Sequence, residues 1–278
     1  MTDVVCFDIG AVRLTRVPYF DVTLPPDAVA LTEAEVQAIP WAVEPWCASP
    51  TEVRVGQVFW VIESDGQTIV VDPCCASDGF LRTGPEAITH QDAAFAAFRA
   101  AGFESDAVDT VVMSHLDGIG MNALVDTDGH WRPAFPRAPI VLSDIEWAKT
   151  RRRAEHTDAA ALLDLNALGA VVPVSLPHRI TRDVEMVASG GHSPGHATVV
   201  VRSGDERGLF LGHLAVSPMQ AAVARPIALH DDPELGGRAL RSWLEDAATD
   251  DALVIGPLWP APGAAHVRLD PVELVPAG

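Results

Sequence analysis

Three short apolar runs in this chain of 278 residues are each followed by histidine. The first reads Thr110-Val-Val-Met-Ser-His-Leu-Asp117, the second Met186-Val-Ala-Ser-Gly-Gly-His-Ser-Pro-Gly-His196, and the third Leu209-Phe-Leu-Gly-His213. Short runs of this kind are typical of buried β-strands. Because ligands and catalytic groups collect where such strands end, the pattern predicts that side chains from three strand ends share one site.

Imidazole and carboxylate groups at strand ends suit two kinds of chemistry. His115, Asp117, His192 and His213 could bind zinc or another borderline metal, and they could equally transfer protons. Any one of them, or His196, could also be structural, but three separate strand ends favour a shared site. The remaining histidines lie in polar or loop contexts and are predicted to be structural: His90, His130, His156, His178, His230 and His266.

Turn and capping signals divide the rest of the chain into strands and helices. Val53–Ile62 and Thr68–Val71 are joined by Glu63-Ser-Asp-Gly66, which predicts a β-hairpin. Ser143-Asp-Ile-Glu146 matches a capping box, and Asp232-Pro233 predicts the first residues of another helix. Further strands are predicted at 8–22, Pro139–Leu142, Thr198–Arg202 and Leu253–Ile255, and further helices between Thr89 and Gly102 and over Ala159–Leu168.

This alternation predicts an α/β fold with strands paired in mixed directions. We expect a single domain over residues 1–278, because no segment has the composition of an interdomain linker. Residues 23–50 are rich in Pro and Trp and are predicted to form an irregular loop over one face. Trp41 and Trp46 in this loop could either pack against the core or line a pocket.

Charge and cysteine content exclude several functions. The formal charge of −19 repels phosphate backbones and anionic membranes, so neither nucleic acid nor a membrane is an expected partner. Four cysteines are too few for a disulfide framework, and the role of the adjacent Cys74 and Cys75 stays open. The sequence shows no signal-peptide pattern and no apolar run of membrane-spanning length, so a cytoplasmic location is expected.

One motif points to a different catalytic class. Gly191-His-Ser-Pro-Gly195 matches the G-x-S-x-G pattern of α/β-hydrolases. That pattern requires a helix directly after the serine. Here Pro194 and Gly195 are followed by the apolar run Ala197-Thr-Val-Val-Val-Arg202, which is typical of a strand. The match is therefore interpreted as accidental.

The ordered motifs resemble the metallo-β-lactamase fold superfamily, in particular its lactonase-like and other hydrolase branches. The resemblance covers roughly residues 8–268. It rests on Thr68-Ile-Val-Val-Asp72, Ser114-His-Leu with Asp117 and Ile119–Asn122, Trp131–Pro136, Gly191–His196, Leu209–Gly212 with Pro218-Met-Gln220, and Pro260-Ala-Pro262. It implies a four-layer αββα sandwich with the site at the open end of two packed sheets.

The metal-binding motif of the superfamily is incomplete in this chain. Members carry H-x-H-x-D-H after the strand, whereas here Ser114-His-Leu-Asp117 lacks the second histidine and Gly118 replaces the third. The resemblance also implies a bridging aspartate where this chain has His213, and a final histidine ligand where it has Leu258. Two close divalent ions need an anionic bridge, so a dinuclear centre is not expected.

Four candidate ligands remain: His115, Asp117, His192 and His213. They could hold a single zinc ion, and a site without metal is an equally open alternative. In either case the predicted catalytic residues are Asp117, His115 and His213. Trp41, Trp46, Trp131, Leu258 and Trp259 could line a pocket for an apolar or aromatic small molecule, although each of the tryptophans could equally be a packing residue.

Two classes of function follow from the resemblance. The first is an atypical enzyme that hydrolyses a small ester, lactone, thioester or amide, or that performs metal-independent cyclisation, elimination or isomerisation, in bacterial small-molecule metabolism. The second is a catalytically inactive binding or scaffolding protein, which the lost ligands favour. A small-molecule partner is expected, and a homo-oligomer is compatible with the sequence.

Overall fold

The computed structural model describes residues 4–73, 85–116, 124–127, 130–152, 166–223 and 225–278. These residues contain strands and helices in alternation. The strands are β1 (Val5–Ile9), β2 (Val12–Leu24), β3 (Cys47–Ser49), β4 (Glu52–Ser64), β5 (Gln67–Val71), β6 (Thr110–Val112), β7 (Leu124–Thr127), β8 (His130–Pro133), β9 (Ile140–Ser143), β10 (Val171–Val174), β11 (His178–Arg179), β12 (Val184–Ala188), β13 (Ala197–Ser203), β14 (Glu206–Phe210), β15 (Leu253–Ile255), β16 (Ala264–Arg268) and β17 (Glu273–Pro276).

Four α-helices accompany these strands within the described residues. They are α1 (Glu33–Ala38), α2 (Pro85–Ala100), α3 (Asp144–Arg152) and α4 (Pro233–Asp250), and short 3₁₀ turns include Pro26–Val29, Gly212–Ala215 and Pro218–Ala222. Helix α4 begins as the sequence predicts, because the Asp232 side chain accepts a hydrogen bond from the Leu235 backbone N–H at 2.9 Å and Pro233 occupies the first turn.

Two large mixed sheets form the centre of the fold. The first has the strand order β1-β2-β4-β5-β6-β9-β10, with β3 paired to β4, and the second has the order β11-β12-β13-β14-β15-β16-β17. A separate ladder pairs β7 with β8. In the first sheet β5, β6, β9 and β10 are parallel, so their carboxyl ends lie at one edge.

Strand β4 shows why the sheets are buried on both faces. Phe59 and Val61 pack toward α2, whereas Val58, Trp60 and Ile62 pack against the second sheet. All five side chains are at most 1% exposed. Because successive side chains of a strand point to opposite faces, a continuous apolar run needs a layer on each side.

Three hydrophobic clusters therefore fill three layer boundaries. One lies between α2 and the first sheet, one lies between the two sheets, and one packs α4 on the second sheet through Leu240, Leu244 and Ala247. This arrangement confirms the predicted αββα sandwich with strands in mixed directions. The single-domain boundary at residues 1–278 stays a prediction.

The segment 23–50 differs from its prediction. It was expected to be an irregular loop, but it contains a 3₁₀ turn, helix α1 and strand β3. Thr32 and Glu35 form a capping box, with the Glu35 backbone N–H donating to Thr32 Oγ1 at 3.2 Å and the Thr32 N–H donating to Glu35 Oε2 at 2.8 Å. This capping box stabilises the start of helix α1 although the segment is rich in proline. The predicted helix Ala159–Leu168 lies mostly outside the described residues.

We predict that Phe98→Ala destabilises the layer between α2 and the first sheet by about 3–5 kcal/mol, because it leaves a cavity beside two aromatic rings. Phe98 is fully buried, and its ring centroid lies 5.2 Å from Phe59 and 5.8 Å from Phe135. Urea unfolding measures the loss. Leu168→Ala, at a side chain that is 65% exposed, is the control and should change stability by less than about 0.5 kcal/mol. Equal effects of both substitutions would contradict the packing.

Candidate metal and active site

The predicted strand ends meet at one edge of the sandwich. β6 ends just before Ser114 and His115, and β12 and β13 are paired through Ala188 and Ala197 on either side of the loop that carries His192. The Ala197 backbone N–H donates to the Ser114 carbonyl oxygen at 2.9 Å, which joins the two sheets at this edge. The shared site predicted from the sequence is thus assembled by both sheets.

Three buried imidazoles lie in mutual contact there. The ring centroid of His115 lies 4.7 Å from that of His192 and 4.2 Å from that of His213. One ring nitrogen from each of the three lies within 4.8 Å of the others, and His115 Nε2 is 2.8 Å from His213 Nδ1. Each side chain is at most 7% exposed. The structure therefore brings together three of the four predicted metal ligands, while Asp117 lies outside the described residues.

A hydrogen-bonded chain behind His115 orients its ring. Asp72 directly follows β5 and has φ at 42°. Its carboxylate accepts hydrogen bonds from the Ser114 backbone N–H at 2.7 Å and from Ser114 Oγ–H at 2.6 Å. Ser114 Oγ lies 2.8 Å from His115 Nδ1. Because the serine proton is directed to Asp72, the hydroxyl oxygen accepts from His115 Nδ1–H. His115 Nε2 then carries a lone pair that faces the other imidazoles.

Gly212 allows His196 and Ser114 to approach this centre. The residue has φ at 54°, and a Cβ atom there would lie 2.5 Å from His196 Nε2 and 2.8 Å from Ser114 Oγ. His196 is fully buried, and its Nδ1 lies 2.7 Å from Ser189 Oγ. Burial, followed by the neighbouring imidazoles, lowers the pKa of His196 well below 6.5. His196 is thus a neutral ring packed behind the three-histidine group.

Glu146 links the loops that carry His115 and His192. Its carboxylate is fully buried and accepts hydrogen bonds from the Leu116 backbone N–H at 3.2 Å, from Ser193 Oγ at 2.8 Å and from the Gly195 backbone N–H at 3.1 Å. Lys149 Nζ lies 3.6 Å away. The sequence pattern assigned Glu146 to a capping box, but its oxygens bind the site loops, while Ser143 Oγ accepts from the Ile145 N–H.

His230, predicted from the sequence to be a structural histidine in a polar or loop context, lies buried beside His192. It is only 5% exposed, and its ring centroid lies 5.6 Å from that of His192. Burial, followed by His192, lowers its pKa from 6.5 to about 4. The segment before α4 has no apolar periodicity, and its Asp231-Asp232 pair is typical of a solvent-exposed segment, so no local signal predicted that this ring would lie beside His192.

Comparisons with known proteins agree on the fold. No protein-family model and no curated protein matches the sequence. Among solved structures, AidC, a dizinc quorum-quenching lactonase in complex with the product N-hexanoyl-L-homoserine, is 15% identical with a TM-score of 0.77, over 99% of this chain and 97% of its own. The hydrolase AbOPH of the β-lactamase superfamily is 16% identical with a TM-score of 0.74, over 100% and 98%.

A probable metal-dependent hydrolase from Staphylococcus aureus is 14% identical with a TM-score of 0.71, over 98% of this chain and 99% of its own. The chain has the metallo-β-lactamase fold. At these identities the likeness concerns the fold alone. Within the described residues, no helix combines the length and the apolar character that a membrane span requires.

The predicted pocket residues have different positions in the metallo-β-lactamase fold. Trp46 and Trp259 are at most 1% exposed and pack edge to face with centroids 6.0 Å apart, and Leu258 is buried in an adjoining cluster. These three fill the core in this structure. Trp41 lines an open groove of about 1320 Å³ between α1 and α4, and its indole N–H donates to the Val272 carbonyl oxygen at 3.1 Å. The side chain of Trp131 lies outside the described residues.

We predict that Glu146→Gln loosens both histidine loops and lowers the free energy of unfolding by about 1–3 kcal/mol, because an amide offers a single acceptor oxygen and turns its own donors toward buried N–H and O–H groups. Urea unfolding measures the effect. Glu63→Gln, at an exposed carboxylate, is the control and should change stability by less than about 0.5 kcal/mol. Histidine NMR shifts for His115 and His192 that stay unchanged in Glu146→Gln would contradict the positioning role.

Proposed function

We propose that this chain is a hydrolase that uses a single divalent metal ion to act on a small organic ester, lactone, thioester or amide. The observation that carries the proposal is the buried group of His115, His192 and His213, with ring nitrogens within 4.8 Å of one another. Three imidazoles with one open coordination position are a donor set typical of catalytic zinc. Hydrolase function in the structural neighbours supports the same reaction class.

The three nitrogens fit one tetrahedral ion of ordinary size. Zinc–nitrogen bonds of about 2.0–2.1 Å in tetrahedral geometry separate ligand nitrogens by about 3.3 Å. The observed separations, from 2.8 Å between His115 Nε2 and His213 Nδ1 up to the 4.8 Å limit of the group, bracket that value. The Ser114–Asp72 chain already leaves His115 Nε2 with a lone pair for the ion. Small ring movements are enough to form the site.

A single ion is favoured over two. The described residues in this group are all imidazoles, and His213 stands where the resemblance implies a bridging aspartate. Imidazole is neutral when it acts as a ligand, so it does not offset the repulsion between two close divalent ions. Asp117 is a further proposed ligand or general base.

Each protein group has a defined task in this proposal. When bound, a divalent ion supplies Lewis acidity toward the substrate carbonyl and toward water. Asp72 and Ser114 hold the His115 ring in one tautomer and one orientation, as outer partners of metal-binding histidines commonly do. Glu146 fixes the distance between the loops of His115 and His192, and the surrounding apolar layers exclude bulk water.

Metal analysis tests the ligand set. We expect about one zinc ion per chain after purification without chelator, and we expect His192→Ala to lose it, because two imidazoles are too few to hold the ion tightly. Inductively coupled plasma mass spectrometry provides the measurement, and His266→Ala, at an imidazole paired with Asp251 outside the site, is the control. A wild-type protein that neither contains nor takes up zinc would contradict the metal-dependent proposal.

Ser114→Ala tests the orientation of His115. We expect metal affinity to fall by about 10–100-fold, because His115 Nδ1–H loses its acceptor and the ring is free to adopt the wrong tautomer. Competition with a chromophoric chelator gives the affinity, and Ser242→Ala on the exposed face of α4 is the matched control. An affinity equal to wild type would show that Ser114 has no part in positioning the ligand.

Hydrolysis itself is tested with a panel of small carbonyl substrates. N-hexanoyl homoserine lactone, a simple aryl ester, a thioester and an amide cover the proposed classes, and a lactone comes first because AidC and other neighbours are lactonases. We expect turnover of at least one class that stops with chelator and returns with zinc. Absence of turnover in a zinc-loaded protein would favour a binding function.

One observation favours a second candidate function, metal-independent proton transfer. Asp72, Ser114, His115 and His213 form a continuous series of hydrogen-bonded groups, with the last two rings in direct contact at 2.8 Å. Such a series can move a proton to or from a bound organic substrate. Turnover that persists at full rate in a rigorously metal-free protein and disappears in His115→Ala would replace the metal-dependent proposal by this one.

A further inference from the structure

His230 is a buried imidazole beside the three-histidine group. Its side chain is 5% exposed, and its ring meets that of His192 edge to face at 90° with centroids 5.6 Å apart. The backbone of His213 and Leu214 also lies close enough to affect the ring. Although His230 lies outside the group whose nitrogens are within 4.8 Å of one another, it is adjacent to two members of that group.

The backbone fixes His230 in this position. The Asp231 N–H donates to the His192 carbonyl oxygen at 2.9 Å, and the Asp232 N–H donates to the Gly191 carbonyl oxygen at 3.0 Å. Lys149 on α3 is paired with Asp231 at 2.8 Å. The two residues that follow His230 are thus tied to the His192 loop, and Asp231 is also tied to the helix that carries Glu146, so these contacts fix the position of the ring.

The first turn of α4 is shaped to admit the ring. A Cβ atom on Gly236 would collide with His230 Nδ1, so only glycine leaves space for the imidazole at this position. A leucine or alanine there, which α-helices prefer, would displace the ring from the site. Gly236 therefore lowers the helix propensity of the first turn of α4 but leaves room for the His230 ring.

Neither ring nitrogen of His230 has a hydrogen-bond partner among the described residues. The backbone groups of His213 and Leu214 lie nearby but do not reach the ring with hydrogen-bond geometry. In either protonation state an imidazole has at least one N–H to donate. Buried donors are normally satisfied, and an exception next to a reactive centre points to a ligand group as the missing acceptor.

We propose that His230 is a substrate-binding residue whose ring N–H donates to an oxygen of the substrate, the carbonyl oxygen that gains negative charge during hydrolysis or a carboxylate oxygen of the product. This inference rests on the proposed hydrolase function. His115, His192 and His213 would hold the ion that supplies Lewis acidity, while His230 supplies a hydrogen bond beside them. No covalent bond to His230 forms or breaks.

A direct binding experiment tests the contact without turnover. Acetate serves as the carboxylate probe, titrated into uniformly ¹⁵N-labelled protein as purified, with the ring ¹⁵N shifts of His230 observed by NMR. We expect a saturable shift at His230 and an acetate affinity at least about tenfold lower in His230→Ala. His266→Ala is the control. Acetate binding that leaves the His230 ring unshifted and is equally tight in His230→Ala overturns the inference.

Kinetics provide the second readout. Loss of one oxyanion donor typically lowers kcat by about 10²–10³-fold, and we expect this decrease in His230→Ala with the zinc content unchanged. His230→Gln retains an N–H donor and fills the space beside Gly236, so it should recover part of the rate and should fold even if the alanine variant does not. Full activity in both variants, or loss of zinc in both, overturns the assignment.

These outcomes separate the inference from the proposed function. A wild-type protein that lacks zinc and turnover contradicts the proposed function, and the acetate titration then decides independently whether His230 binds a carboxylate. A wild-type protein with zinc and turnover whose His230 variants retain both the acetate affinity and the rate contradicts the inference alone.

Discussion

The buried carboxylate of Glu146 is the contact on which the geometry of the site depends. It accepts hydrogen bonds from Leu116 in the first sheet's loop and from Ser193 and Gly195 in the second sheet's loop. A carboxylate can satisfy that many donors because it has about four acceptor positions and no proton of its own. Lys149 offsets its charge, so one residue ties two sheets together without leaving an unpaired ion in the core.

The loops that Glu146 ties together hold several histidines close to one another, and this closeness affects their pKa values. Five imidazoles, those of His115, His192, His196, His213 and His230, lie in a chain of ring contacts with little exposure to water. Charging any of them would place a buried cation beside the others, which is why the pKa values of His196 and His230 are lowered. Burial thus favours the neutral form of His196 and His230, and the neutral form of imidazole is the one that binds metal.

The sequence predicts the architecture well where the pattern is local. The hairpin of β4 and β5, the strand β15 at Leu253–Ile255 and the start of α4 at Pro233 all follow from turn, hydrophobic-pattern and capping signals. Strands β16 and β17 were not predicted from the sequence. Their short sequences have no clear strand pattern, and they form strands because they pair with neighbouring strands.

The site was predictable only to the extent that its residues follow strands. His115, His192 and His213 do so, and the structure places their ring nitrogens within 4.8 Å of one another. Glu146 and His230 act through contacts across the fold, with partners 30 to 49 residues distant for Glu146 and a ring contact to His192 for His230. Such contacts between distant residues produce no periodic pattern in the sequence. A polar residue on a predicted helix or loop is therefore expected to be solvent-exposed until the structure shows its neighbours.

Several residues around the three-histidine group lower the stability of the fold, and this argues against an inert scaffold. Asp72 adopts a left-handed backbone conformation that non-glycine residues rarely occupy, and Gly236 weakens a helix to admit His230. The buried ring of His230 has no hydrogen-bond partner among the residues that the structure describes. Each feature lowers stability, and local violations of this kind concentrate at functional sites. A protein that needed only the sandwich could fill the same volume with aliphatic side chains. That several such features converge on one group of imidazoles favours chemistry there over a purely structural role.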